Sequence, residues 1–409
     1  MPQINYKRLL LIAGFVLAVL LIGFLLYYFF IKPLVAPAPA PTVAPPAAGL
    51  PAAPAAPPVV VAPPAVVPAA PPAVAPVAPT ELASGGSTLT TTLVDKPSAQ
   101  ITLTTDGNKV QYYNKEDGKF YYVDKNGKVS IYSNKAFYEV QNVTWSPDKE
   151  KAVLQYPDDT KIVYDFRNDK QYTLPSHWKD FSFSPTSDEF ATKSIGMDRE
   201  NRWVITSSVD GQKATRIEPI GDKEADVHIT WSPNNQVVAL YNEGKDFDRQ
   251  DVYFIGQYGE NFKSMVVEGR DFRPMWSEQG DKLLYSIYRS ENGYRPELWI
   301  ANAAGENIGT NRNNLKIETW ADKCDFFDNI TIYCAVPQAM QDGAGLFPDV
   351  LDTTPDTIYK IDLKTGYSNI VAIPDQDTTI SQLTVSKDGK TIYFTDKNTS
   401  QIKKIDLMK

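Results

Sequence analysis

Four short stretches of this 409-residue chain share one pattern: Trp145-Ser146-Pro147-Asp148, Phe183-Ser184-Pro185, Trp231-Ser232-Pro233-Asn234 and Trp276-Ser277-Glu278. A short polar turn and an apolar run follow each of them. Weaker copies stand at Leu103-Thr104 before Asp106-Gly107, at Phe326-Phe327 before Asp328-Asn329 and at Val385-Ser386 before Asp388-Gly389. Measured between the second residues of each pair, the spacings are 42, 38, 48, 45, 50 and 59 residues, which defines seven units. A unit of this size cannot bury both of its own faces, so the copies must stack on one another.

Within each unit the apolar residues recur with period two, which predicts strands and not helices. Second strands are expected over 237–241, 283–288 and 391–395, and third strands over 162–166, 252–255, 298–300, 358–361 and 402–405. Outer strands fit 214–217 and 367–372, so a unit is a four-stranded antiparallel blade. Closing a ring of such blades requires the first and last to be joined, because an open seam leaves a long unpaired edge. The last unit stops after its third strand, whereas the β-branched segment 88–94, Thr-Leu-Thr-Thr-Thr-Leu-Val, precedes the first unit with no partner. That segment is expected to supply the outer strand of the last blade.

The Trp-Ser-Pro-Asp turns, each leading into an aromatic-apolar strand, resemble the WD-like repeats of TolB-type β-propellers, which also occur beside prolyl oligopeptidase domains. The resemblance covers 88–409 and implies an all-β fold, a seven-bladed β-propeller of four-stranded antiparallel blades. It further implies that Trp145, Phe183, Trp231 and Trp276 are packing residues between blades. On function it is almost silent, since one fold serves many tasks.

Residues 9–31 form an uncharged apolar run of 23, about 35 Å as a helix, enough to cross a ~30 Å hydrocarbon core. A cleavable signal peptide is the competing reading, but its apolar region is shorter, and the small-residue sites at 36–40 are followed by proline. Lys7 and Arg8 precede the run and only Lys32 immediately follows it, which puts the N-terminus, 1–8, in the cytoplasm. Residues 32–86 are nearly all Pro, Ala and Val and end in Ser84-Gly85-Gly86-Ser87. Such composition is expected to give a disordered or polyproline-like linker holding the domain 87–409 outside the membrane. The expected fold is therefore a single transmembrane helix, a Pro/Ala-rich linker and a propeller that is periplasmic or extracellular.

Within 87–409 acidic residues exceed basic ones by about ten, which argues against nucleic acid as a partner. The two cysteines, Cys324 and Cys334, flank the turn Asp328-Asn329. If that turn reverses the chain they face each other, and either a cross-strand disulfide or a pair of buried thiols results. No metal site or cofactor is expected, since two thiolates with no neighbouring histidine rarely hold zinc.

No catalytic residue is expected. The two histidines, His177 and His228, lie in no HExxH pattern and no Gly-x-Ser-x-Gly elbow is present. His177 is expected to pack beside Trp178 in a connecting loop. Ser386-Lys387-Asp388-Gly389 resembles a sialidase Asp-box only superficially, and Asp246, Asp248 and Asp251 lack the glycine and distal glutamate of a calcium loop. A hydrolase of the prolyl oligopeptidase kind needs a further domain for which no chain remains.

In propellers, loops joining second to third strands and those joining successive blades share one face. That rule gathers 197–202, 245–249, 268–273, 289–295 and the insertion 337–355 on one rim. Arg199, Arg202, Arg249, Arg270, Arg273, Arg289 and Arg295 then stand near one mouth of an acidic ring, beside Phe247, Tyr294 and Phe347. Arginine forks and aromatics suit an envelope or extracellular protein, an acidic peptide or a polysaccharide. The alternative role for these arginines is pairing with Asp246, Asp248, Asp271 and Glu291 to fix the loops. The insertion, with Gly343, Gly345 and Leu346-Phe347, is a binding loop, a lid or a plug. The expected function is a membrane-anchored, non-catalytic binding or scaffolding module at the cell envelope. An envelope hydrolase or lactonase using channel carboxylates or a metal is the alternative.

Overall fold

The serine carried by five of the seven repeats explains the motif. In the computed structural model, which describes residues 86–407 together with Leu21 and Phe24, Ser146 accepts the Lys149 N–H on its carbonyl at 2.9 Å and the Lys151 N–H on its hydroxyl at 3.0 Å. Ser232 does the same for Asn235 and Val237, and Ser386 for Gly389 and Thr391. The fourth residue of each of the five serine turns is left-handed: Lys149, Ser187, Asn235, Gly280 and Gly389 have φ between 61° and 69°. This is the type I turn plus left-handed residue that reverses a hairpin in three or four residues. Proline at the second turn position fixes φ there at no cost to a ladder hydrogen bond.

Among the described residues, twenty-eight strands form seven four-stranded antiparallel sheets. Blades 1 to 6 take 98–133, 142–174, 178–219, 227–267, 270–314 and 324–372, each in simple sequence order. Blade 7 combines 380–406 with strand β1, Thr90–Val94, in the order predicted for a closed ring. Thr90 pairs with Ile405 and Val94 with Ile402. Thr88 adds a parallel bridge to Pro374, and Asp375 accepts the Thr90 N–H at 2.9 Å.

The core lies between blades. Seven apolar clusters each straddle two consecutive sheets, from Phe120 with Leu154 at blades 1 and 2 to Ile358 with Ile392 at blades 6 and 7. The seventh unites Leu93, Val94 and Ile402 of blade 7 with Ile101, Val110 and Tyr112 of blade 1, so the cycle has no seam. Phe183 and Trp231 are buried, and Trp145 and Trp276 are half-buried against neighbouring aromatics, as the resemblance implies. Burying an aromatic of this size typically contributes about 1.5–3 kcal/mol.

Inner strands carry a periodic irregularity. In blades 1, 3 and 5 the register slips at Gln100, Asp180 and Asp271, each left-handed at φ 53–54°. A bulge of this kind re-aims a side chain on an otherwise alternating strand.

The chain divides into two units, Met1–Ala75 and Pro76–Lys409. In the first, Leu21 and Phe24 are helical and exposed. The predicted membrane span 9–31 and linker 32–86 otherwise lie outside the described residues, apart from Gly86, and no helix among the described residues is long and apolar enough to cross a membrane.

Candidate functional site

The strand order places the loops after each second strand, and the connections into each next blade, on one face of the ring. The insertion leaves the second strand of blade 6, Thr331–Pro337, and returns at the third, Asp356–Asp362. It is neither loose nor extended. Gly343 N–H donates to Gly293 O at 2.7 Å, Gly345 N–H to Tyr294 O at 2.8 Å, and Gln338 N–H to Pro355 O at 2.8 Å. Ala344 and Leu351 bury themselves with Trp320 and Met340 in a small separate core. Glycine is required at 345, because a Cβ there would lie 2.6 Å from Tyr288 Cβ and 2.7 Å from Tyr294 O. A single helical turn, Pro348–Leu351, then presents Leu346, Phe347 and Val350 outward, 43, 67 and 45 % exposed.

All seven rim arginines are engaged within the chain. Arg199 and Arg202 converge on Asp222 at 3.4 and 3.1 Å, and Arg202 also donates to Gly196 O. Arg249 pairs with Asp246 at 2.5 Å, and Arg270 donates to the carbonyls of Phe247 and Asp246. Arg273 pairs with Asp271 at 2.9 Å and lies over the Trp320 ring at 5.7 Å. Arg289 forks onto Glu297 at 3.0 Å and reaches Glu291, and Arg295 meets Glu318 at 3.2 Å and Asp342 at 3.5 Å. Asp248 accepts the Ser290 hydroxyl at 2.9 Å, tying the blade 4 loop to that of blade 5. Hydrogen bonding to Arg249 holds the Asp246 carboxyl below its ordinary range, so that pair stays charged at any physiological pH.

These contacts change one placement. Arg270 and Arg273 belong to the inner strand Arg270–Trp276 and not to the blade connection, because the bulge at Asp271 lets that strand begin earlier than an alternating pattern allows. His177 sits in the turn before blade 3 and is exposed, whereas Trp178 beside it is buried. Tyr294 is left-handed and half-buried edge-on to Tyr288, whereas Phe247 stands 68 % exposed. Asp246 and Asp251 both serve lysine or arginine neighbours and do not converge. Among the described residues no group of three or more His, Cys, Asp or Glu is placed to hold a metal.

Cys324 and Cys334 are direct partners across their strand pair and form a disulfide, with Cα atoms 4.0 Å apart. It is buried between blades 5 and 6.

Fold and loop placement define the protein as a seven-bladed β-propeller. Solved structures agree on the fold. An oligogalacturonate lyase in complex with manganese aligns at 13 % identity and TM-score 0.50 over 78 % of this chain and 93 % of its own. The propeller domain of Cps50 (Swd1) from Myceliophteria thermophila aligns at 10 % identity and TM-score 0.51, over 78 % of this chain and 100 % of its own. Hydrazine synthase of Kuenenia stuttgartiensis does so at 14 % and 0.50, over 76 % and 95 %. No family profile and no curated protein matches the chain. At such identities the likeness is one of fold alone.

Proposed function

We propose that this protein is a non-catalytic binding or scaffolding module of the cell envelope, anchored by 9–31 and docking a protein partner on the rim of blades 4 to 6. One observation carries the reading: Leu346, Phe347 and Val350 are held out to solvent on a loop that is pinned to blade 5 by backbone hydrogen bonds and its own small core. Exposed apolar side chains clustered on a rigid support mark interaction surfaces, since docking covers them without paying to order the loop. Phe247, fixed by Arg270 through its carbonyl, extends the same face.

The arginines refine the choice of partner. An acidic peptide or polysaccharide must compete with carboxylates already in place, whereas a protein surface can dock over the paired loops without displacing them. Arginine therefore acts here mainly as a loop clamp. The extracytoplasmic placement is supported by the buried Cys324–Cys334 disulfide, which persists in oxidising compartments, and by the basic residues before 9–31.

The test compares wild type with Phe247→Ala/Phe347→Ala, both as full-length protein recovered from membranes after mild crosslinking. A partner retained by wild type and reduced at least tenfold in the variant is expected; equal retention overturns the rim as the docking site. Protease added to intact spheroplasts should digest the domain 87–409, and full protection would reverse the proposed topology.

A further inference from the structure

A concavity opens in the channel wall formed by blades 2, 3 and 4. It measures about 450 Å³ and is lined by Asn142, Thr144 and Gln155 of blade 2, Asp180, Phe181 and Lys193 of blade 3, and His228 of blade 4. The start of each inner strand and the end of each second strand meet there, so it faces the same side as the rim loops while sharing none of their aromatic residues. We propose that this cavity binds one or two neutral sugar residues of a glycan.

Its hydrogen-bonding groups point to hydroxyl ligands. The side chains of Asn142, Thr144 and Gln155 make no hydrogen bond within the described residues, leaving two amides and a hydroxyl free on one wall. Amides and hydroxyls both donate and accept, which matches sugar hydroxyls that do likewise. Opposite them Lys193, only 5 % exposed, is locked by Asp180 at 2.6 Å and Glu224 O at 2.8 Å. The bulge at left-handed Asp180 is what aims that carboxylate at Lys193. Phe181 supplies a small apolar wall of the kind a pyranose C–H face requires.

Charge excludes anionic competitors. The charged groups that face His228 are Lys193, Asp180, Asp271 and Asp226, and the one cation among them is already paired with Asp180. Burial holds the imidazole below its ordinary value, so it is neutral near pH 7. A phosphate or uronate entering here finds no unpaired cation and meets acidic neighbours. A neutral, hydroxyl-rich ligand incurs no such penalty. The His228 ring also meets Asn242, whose amide nitrogen lies 3.2 Å from Nε2 while its buried Oδ1 has no partner. That acceptor is buried behind the histidine, outside the cavity lining.

The experiment titrates the full-length protein by calorimetry with cellobiose, lactose and N,N′-diacetylchitobiose, and with digalacturonate and inorganic phosphate as charged probes. Saturable binding of at least one neutral disaccharide is expected. Asn142→Ala/Gln155→Ala should weaken it roughly tenfold, the effect of two neutral hydrogen bonds. The melting temperature should stay put, because neither side chain holds the fold. Phe247→Ala/Phe347→Ala should leave sugar binding unchanged, so failure of the rim and failure of this cavity are read separately. No saturation by any neutral disaccharide, affinity unaltered in the double variant, or preference for digalacturonate or phosphate would each overturn the proposal.

Discussion

Thr90 stands opposite Ile405, so the first strand of the ring is hydrogen-bonded to the last. Every other blade is continuous in sequence, which makes this one pairing responsible for circular closure. Leu93 and Val94 seal it by packing against Ile101 and Tyr112 of blade 1.

Removing 87–95 exposes the backbone edge of Ile402–Asp406 and opens the apolar cluster between blades 7 and 1. The loss of several ladder hydrogen bonds and two buried side chains is about 5 kcal/mol, or roughly 10 °C in melting temperature for a domain of this size. Leu93→Ala alone should cost about 2–3 kcal/mol. Differential scanning calorimetry checks both, and an unchanged melt of the deletion would contradict closure.

The Cys324–Cys334 bridge closes a loop with a sequence separation of 10. Constraint of the unfolded chain by such a loop is worth about 2–3 kcal/mol. Alkylation of the denatured, unreduced protein should label no thiol. The Cys324→Ala/Cys334→Ala variant should unfold at correspondingly lower urea, and two labelled thiols in the wild type would refute the bridge.

Asp325 accepts the Thr384 hydroxyl and the Val385 N–H, both at 3.0 Å, and so links the inner strands of blades 6 and 7. Burial raises its carboxyl from 3.8 to about 6. The folded state then holds the proton more tightly than the unfolded one, so this group's contribution is complete below about pH 4 and is lost as pH rises through 6. Asp325→Asn keeps an acceptor oxygen and removes the charge. Since the residue keeps some accessible surface, a gain of about 1–2 kcal/mol at pH 7.5 is expected, vanishing at pH 4. Urea titrations at the two pH values measure it, and a loss at pH 7.5 would contradict this assignment.

Gly345 leaves no room for a Cβ between the insertion and Tyr288 and Tyr294 of blade 5. Gly345→Ala should push the loop away from Tyr288 and Tyr294 at a cost of about 1–3 kcal/mol. Limited proteolysis should then cut within 338–354, where the wild type resists, with the rest of the ring intact.

The architecture was legible because its signals are local. A serine whose hydroxyl caps an amide five residues on, as Ser146 does for Lys151, writes itself into the sequence as a fixed pattern. Alternation then fixed which loops share a face, and Cys324 and Cys334 flank one hairpin. What the arginines do was less legible. Arg289 with Glu297 joins two strand ends across a loop, and Arg295 with Glu318 spans 23 positions. The cavity was invisible, since Gln155, Lys193 and His228 come from three blades and meet only through ring geometry.

The rim is tested most directly in living cells by placing a photo-crosslinking amino acid at Phe347, at Phe247 and, as a control on the opposite face, at Tyr367, itself 68 % exposed. The account predicts one discrete protein adduct shared by 347 and 247 and none from 367. Adducts of equal yield at all three positions, or none from 347, would contradict it.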